Sequence, residues 1–426
     1  MPMIETIQGN PAERERTVLV SVIRAGTAVW LAEDHMDELS ALADTAGADE
    51  VARVMQPRMK PDSATFIGSG KVSEVAQLCG KHQAGLVIFD DDLTAVQVRN
   101  LEQKLKRKVV DRSGLILDIF ASRARTREAK VQVELAQLEY YYPRLTKMWS
   151  HLRGSQGGIG FRGPGETQLE VDRRAVQRRI SSLKKDLEKI AKQRETRRKG
   201  RRDAPTAALV GYTNVGKSTL LNAMSGREDA FVEDRLFATL DSKVRRVEQT
   251  RGKPILVIDT VGFIRKLPHH LVASFRSTLE EAQEADVLIH VADISHPHVE
   301  TQMEQTVKVL AELGLKDKPT LLVFNKVDQV AIPALLQKMS ENHPHALFVS
   351  ASTGLRLWQL VERLEEILYV GYREVDVRVS PDQLGRLEKM EGDIQLRNKK
   401  WAEGGIELTI VGPEKEVNQA LRRAGV

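Results

Sequence analysis

Between the apolar run Ala207–Val210 and an amphipathic pattern that opens at Thr219, the chain reads Gly211-Tyr212-Thr213-Asn214-Val215-Gly216-Lys217-Ser218. This spacing suits the binding of a nucleoside polyphosphate. The glycines let backbone N–H groups curl around phosphate oxygens, and the following helix adds the positive end of its dipole. Lys217 would reach the β- and γ-phosphates, and the Ser218 hydroxyl would ligate magnesium. A second apolar run, Ile255–Ile258, ends in Asp259-Thr260-Val261-Gly262, which brings an acid towards that ion. Thr239, in "RLFATLDSKV", lies between the two motifs. Its hydroxyl is expected on the magnesium and its N–H on the γ-phosphate, ordering the surrounding loop only with triphosphate. Lys217, Thr239, Gly262 and Asn214 are the expected catalytic set.

The base should be guanine. "LVFNKVDQ" places Asn325, Lys326 and Asp328 at the end of a strand pattern. A carboxylate there accepts from both N1–H and the 2-amino group of guanine, whereas adenine offers neither donor. Lys326 is expected over the base. The backbone of Ser350 and Ala351, in "LFVSAST", can meet the guanine O6. Many GTP hydrolases carry a glutamine after the glycine of the second motif, and it orients the attacking water. Phe263 occupies that place here and cannot hold a water. Hydrolysis by the isolated chain should be slow, with the missing group supplied from elsewhere.

Three segments must surround this centre. Residues 17 to 125 alternate β-branched strand patterns ("TVLVSVI", "EVARVMQ", "GLVIFD", "KVVD") with amphipathic helices. That alternation predicts an α/β domain with a parallel sheet over 1–125. From 126 to 203 the period changes to heptads. Val131, Leu135, Leu138, Tyr142 and Leu145 form one seam. Leu169, Val176, Ile180, Leu183, Leu187 and Ile190 form the other, with Arg173 filling a gap. Two such stripes predict an antiparallel helical (coiled-coil) hairpin whose second arm, about 166 to 199, spans about 50 Å. The interruption "RGSQGGIGFRGPGE" holds six glycines and a proline and forms the tip. Residues 204–370 are the nucleotide-binding α/β domain, and 371–426 read as a small α+β module of strand, helix, hairpin and helix.

Charge is uneven. Residues 144–202 carry 18 Lys+Arg and 6 Asp+Glu, a net +12 in a chain whose total is +5. A basic block in an otherwise acidic protein suits a polyanion such as folded RNA. Tyr140, Tyr141, Trp149 and Phe161 near the tip are candidates for stacking on exposed bases. No run approaches the roughly 20 apolar residues that span a bilayer. The first residues lack a secretory pattern, and the single cysteine, Cys79, fits a reducing compartment. A cytoplasmic monomer is expected.

"GYTNVGKST", "FATLD", "DTVGFIRKLP" and "NKVD" resemble the translation-factor-related P-loop GTPases. Within them, "FIGSGK" and above all "GSQGGIGFRGPGETQLEVDRR" resemble the HflX family, across nearly the whole chain. The resemblance implies a cytoplasmic, Mg2+-dependent GTPase that binds the large ribosomal subunit and its rRNA. It further implies splitting or rescue of stalled ribosomes under stress, with the hairpin tip projecting towards the peptidyl-transferase region. Asn214 looks like the potassium-binding asparagine of related GTPases with a hydrophobic residue in the glutamine position, which makes K+ a second expected cofactor. Two alternatives stand beside this reading. Gly68-Ser69-Gly70-Lys71 imitates a phosphate loop and would suit ATP-driven RNA remodelling or ribosome assembly, although Thr65 replaces the required first glycine. A GTP-sensing adaptor with incidental hydrolysis is the other.

Overall fold

Parallel strands need crossover connections, and the first hundred residues supply them as helices. The computed structural model describes all residues except 1–13, 149–167, 200–203, 227–235, 238–239, 241–242, 248–253, 267–275, 331, 391–393 and 403. Strands β1 (Glu15–Arg24), β2 (Ala48–Arg58), β3 (Leu86–Phe89) and β4 (Lys108–Asp111) form one sheet in the order β2-β1-β3-β4. All three pairings are parallel. Helices α1 (Val29–Thr45), α2 (Ser69–His82) and α3 (Ala95–Leu105) are the crossovers. Thr94 and Gln97 close a capping box on α3, satisfying two N-terminal donors reciprocally. Val18, Val20, Val75, Cys79, Val87 and Leu101 share the core on one side of the sheet. Cys79 is therefore a small core residue.

A fourth helix, α4 (Arg112–Arg123), was not legible in the sequence. Eight of its residues are buried, so its pattern has no polar face to reveal a helical period. It starts directly after β4 because the Asp111 carboxylate accepts from Gly114 N–H at 2.9 Å and caps the first turn.

The heptad pattern forms α5 (Arg127–Met148) and α6 (Gln168–Lys199). In α6, Leu183 is buried, Val176, Ile180, Leu187 and Ile190 are half-buried, and most of their neighbours are exposed. The α5 helix differs from expectation. Besides Leu135 of the expected stripe it buries Ala129, Gln132, Val133, Ala136 and Tyr140, a face beside that stripe, and this helix packs on α3 and α4. Asp111, fully buried, accepts from the Tyr140 hydroxyl, from Arg144 Nη2 at 2.6 Å and from Leu93 N–H at 3.0 Å. Breaking such a buried, fully bonded carboxylate by removing a partner costs roughly 3–5 kcal/mol. Tyr140, expected to stack on RNA, is instead an anchor, and the Arg144 guanidinium lies 3.5 Å from its ring centre. Tyr141 is half-buried, while Trp149 and Phe161 lie outside the described residues.

The second sheet runs β10-β9-β8-β5-β7-β6: Leu347–Phe348, Thr320–Asn325, Val287–Asp293, Thr206–Gly211, Ile255–Asp259 and Lys243–Val247. Only β6 runs antiparallel. Helices α7 (Lys217–Ser225), α8 (Arg276–Glu284), α9 (Val299–Glu312), α10 (Pro333–Asn342) and α11 (Leu357–Leu368) alternate with its strands. The last 55 residues form β11 (Tyr372–Val379), α12 (Pro381–Glu388), β12 (Gln395–Ala402), β13 (Gly405–Pro413) and α13 (Glu414–Ala424). Their antiparallel order β11-β13-β12 carries its own core around Leu387, Ile410 and Val417.

The chain separates into two compact units. One comprises residues 1–193 with two returning segments, 233–241 and 266–277. The other comprises 194–232, 242–265 and 278–426.

Candidate nucleotide-binding site

The site lies at the carboxyl ends of the central strands of the second sheet, where open α/β sheets bind ligands. Strand β5 ends at Gly211, whose φ of +151° and closeness to Val291 exclude a side chain; a Cβ there would stand 2.2 Å from the Val291 carbonyl oxygen. Gly216, with φ +89°, faces Asn325 Nδ2 in the same way, at 2.4 Å from an added Cβ. Both glycines are demanded by close packing as well as by backbone conformation.

Lys217 opens α7 and is only 6% exposed. Its ammonium donates to the carbonyls of Gly211, at 3.2 Å, and Tyr212, at 2.7 Å. Burial pushes it down to about 8, with Asp259 opposing that fall. A buried ammonium aimed into a glycine loop is a receptor for a polyanion whose charge would restore it. Gly262 lies against the same point. A Cβ on it would be 2.8 Å from Thr213 Cα and 3.0 Å from Lys217 Nζ, so only glycine fits there without a shift.

Ser218 Oγ donates to Asp259 Oδ2 at 2.6 Å. This hydroxyl–carboxylate pair, with Asp259 fully buried, fits a magnesium ion that takes its remaining ligands from phosphate oxygens and water. No group of three or more His, Cys, Asp or Glu residues suited to hold a metal occurs among the described residues. When bound, magnesium would neutralise charge developing on the phosphates. Thr239 lies outside the described residues. Thr260, buried, gives its hydroxyl to Leu209 O at 2.6 Å and is structural.

Asn325 ties the two halves of the site together. Its Nδ2 donates to Val215 O at 2.8 Å, and its Oδ1 accepts from Ala351 N–H at 2.9 Å. The Ala351 amide, expected on the guanine O6, is thus engaged by Asn325 here. Lys326 pairs with Asp293 at 2.6 Å, and the other oxygen of Asp293 accepts from Ser295 N–H at 3.0 Å. The signal for Asp293 was available in sequence, as an acid ending the buried strand β8, but its partner lies on the neighbouring strand. Asp328 is exposed, and the Ser350 hydroxyl, with help from Ser352, holds its carboxyl below the usual range. It stands ionised. Asn214 is exposed at φ +61° beside the phosphate loop. Tyr212, Thr213 and Val215 are buried in that loop, and Thr219 follows in the first turn of α7.

The second glycine stretch has none of these features. Gly68 N–H donates to Gln56 Oε1 at 2.9 Å, and Lys71 pairs with Glu74 at 2.8 Å. Gly68 caps α2 there, with its amide already satisfied by protein.

Family models match most of the chain. Residues 33–121 match "GTP-binding GTPase N-terminal", 123–201 match "GTP-binding GTPase Middle Region", and 206–326 match "50S ribosome-binding GTPase". The GTPase HflX of Lacrimispora saccharolytica is 43% identical over 415 residues, covering 97% of each chain. That of Escherichia coli is 42% identical over 385 residues, covering 89% of this chain and 90% of the relative. A GTP-binding protein from Sulfolobus solfataricus in complex with GDP is similar at 24% identity and a TM-score of 0.44, covering 83% of this chain and 98% of that one. The chain is a GTP hydrolase and belongs to the HflX family of GTPases.

Proposed function

We propose that this GTPase binds the large ribosomal subunit in its GTP state and splits or rescues stalled ribosomes under stress, as a cytoplasmic monomer. The observation that carries the reading is the basic outer face of α6. Arg174, Gln177, Arg178, Ser181, Ser182 and Lys185 line a groove of about 660 Å³. Their spacing repeats every three or four residues, so they form one stripe facing away from the heptad seam. Arginines, lysine, amide and hydroxyls in a row suit the phosphates and 2′-hydroxyls of RNA. The match of 206–326 to a model described as "50S ribosome-binding GTPase" supports the large subunit as the RNA's source.

Two neighbouring arginines do not belong to that stripe. Arg179 pairs with Glu134 at 2.7 Å, and Arg173 lies 5.5 Å from the Tyr142 ring centre, so both serve the hairpin itself. The test is therefore Arg174→Gln with Arg178→Gln and Lys185→Gln. In sucrose-gradient sedimentation with large subunits, the unaltered chain should co-sediment with a non-hydrolysable GTP analogue and much less with GDP. The triple variant should bind more weakly and show a salt slope lower by about one per lost phosphate contact, with GTP affinity unchanged. Equal sedimentation with GTP analogue and GDP would refute the nucleotide-gated reading.

In the GTPase centre, Lys217 and the loop amides would grip the phosphates, Asp328 would read guanine, and Ser218, Asp259 and Thr239 would hold magnesium. Asn214 would place a potassium ion beside the α- and γ-phosphates, where its charge does what an arginine finger does elsewhere. Turnover should accordingly be at least several-fold faster in potassium than in sodium, and Asn214→Ala should erase the difference. Equal rates in the two salts would remove the cation from the mechanism.

A further inference from the structure

One hydroxyl of the phosphate loop stands apart from the others of the site. Ser218 gives its hydroxyl to Asp259, Thr260 gives its own to Leu209 O, and Ser350 shares a bond with Ser352. Thr213 is 6% exposed, and its Oγ1 finds no hydrogen-bond partner among the described residues. Burying a hydroxyl without a partner costs stability, and native structures rarely do it without a functional reason. Thr213 lies in the loop expected to wrap a nucleoside polyphosphate, whose oxygens are acceptors.

Backbone contacts fix where this side chain sits. Thr213 N–H donates to Phe263 O at 2.7 Å, and Phe263 N–H donates to Gly211 O at 3.0 Å. The loop and the segment after Asp259 therefore run side by side, as a short parallel bridge between Tyr212 and Phe263. A Cβ on Gly262 would lie 2.8 Å from Thr213 Cγ2 and 3.0 Å from Lys217 Nζ. The Thr213 methyl thus faces Gly262, and the hydroxyl is the other branch of the same carbon. A β-branched side chain has few χ1 rotamers, so turning the hydroxyl away would also pull the methyl from that contact. Gly262 and Lys217 are the groups expected at the terminal phosphate, which puts Thr213 at the γ end of the site. Phe263, beside them and 2% exposed, brings no polar side-chain atom.

We propose that Thr213 Oγ1 donates a hydrogen bond to an oxygen of the γ-phosphoryl group during hydrolysis, as a catalytic residue in a centre that lacks the glutamine. Phosphoryl transfer spreads charge over those oxygens, and a fixed donor stabilises it without reorganisation. The proposal rests on the reading of this pocket as the GTPase centre and is independent of the ribosome, so the full chain is tested alone. Single-turnover GTP hydrolysis, nucleotide affinity and thermal unfolding are measured for Thr213→Val, Thr213→Ser and Lys217→Ala. Thr213→Val keeps the shape and removes the hydroxyl, and it should hydrolyse GTP on the order of a hundredfold more slowly. Its GDP affinity should stay within about twofold, because GDP lacks the group that the hydroxyl serves. In buffer without nucleotide, the unfolding transition that GDP shifts should rise by roughly 2–4 °C, since an unsatisfied buried hydroxyl is gone. Thr213→Ser should restore most of the rate. An unchanged rate in Thr213→Val overturns the proposal, and so does a failure of Thr213→Ser to restore it. A parallel loss of GDP affinity or a lower unfolding midpoint also overturns it, by making the hydroxyl merely structural. If Lys217→Ala still binds GTP, the pocket reading falls and this role falls with it. If Lys217→Ala loses GTP while Thr213→Val keeps the full rate, only the role of Thr213 falls.

Discussion

Lys217→Ala should leave a folded chain that no longer holds GTP. The ammonium is buried and donates only to two loop carbonyls among the contacts described for it, so its replacement removes a desolvated charge that the nucleotide-free fold must accommodate. That charge is unfavourable until phosphate arrives, as its fall to about 8 shows. The unfolded chain carries this lysine near 10.5, so between 8 and 10.5 the unfolded state binds more protons and stability should rise with pH. The variant should lose that rise. With nucleotide the balance reverses: kcat/KM should fall on the order of 10² to 10³, the cost of removing one well-placed donor to a developing oxyanion. The stabilisation by GDP, about 2.7 kcal/mol at a hundred times Kd in the unaltered chain, should vanish from thermal unfolding curves. Persistence of that shift would mean that phosphate is gripped by another group.

The second large effect should come from Asp328→Asn. The carboxylate is ionised and open to solvent, with Ser350 and Ser352 holding its charge in place. In the proposed complex guanine would donate to it twice. Asparagine keeps one acceptor but turns an amide donor against the 2-amino group. Charged hydrogen bonds are worth about 1.5–3 kcal/mol each. Loss of one and repulsion at the other should weaken GTP and GDP by about a hundredfold. Xanthine, with a carbonyl at that carbon, should bind the variant better than guanine does. Equilibrium binding of the two nucleotides to both proteins checks this, and unchanged guanine preference would place the base elsewhere.

The two predictions concern residues that were legible without coordinates, and the reason is local. Gly211 to Ser218 is one strand end, one turn and one helix start, so spacing alone dictates which amides converge. Asn325 to Asp328 is likewise a single strand end. The helical hairpin was legible because a heptad period records one packing surface. It misled where a helix had two: α5 buries Ala129, Val133, Ala136 and Tyr140 on its neighbours, so Tyr140 became an anchor on Asp111 and not a platform for bases. α4 escaped notice because burial on nearly every side removes the period that identifies a helix.

The sequence by itself determined the nucleotide, the order of the motifs, the alternation that builds one parallel and one largely parallel sheet, and the basic helix that follows the first of them in the chain. These follow from residues within a few turns of one another. Only the tertiary structure decided that Asp293 holds Lys326, that Asn325 bridges two loops, and that Asp90 and Asp91 receive Lys266 from 175 residues away. Each pairing satisfies a buried charge or amide across elements distant in the chain. Nothing in a linear pattern says which of many possible partners will be brought within 3 Å.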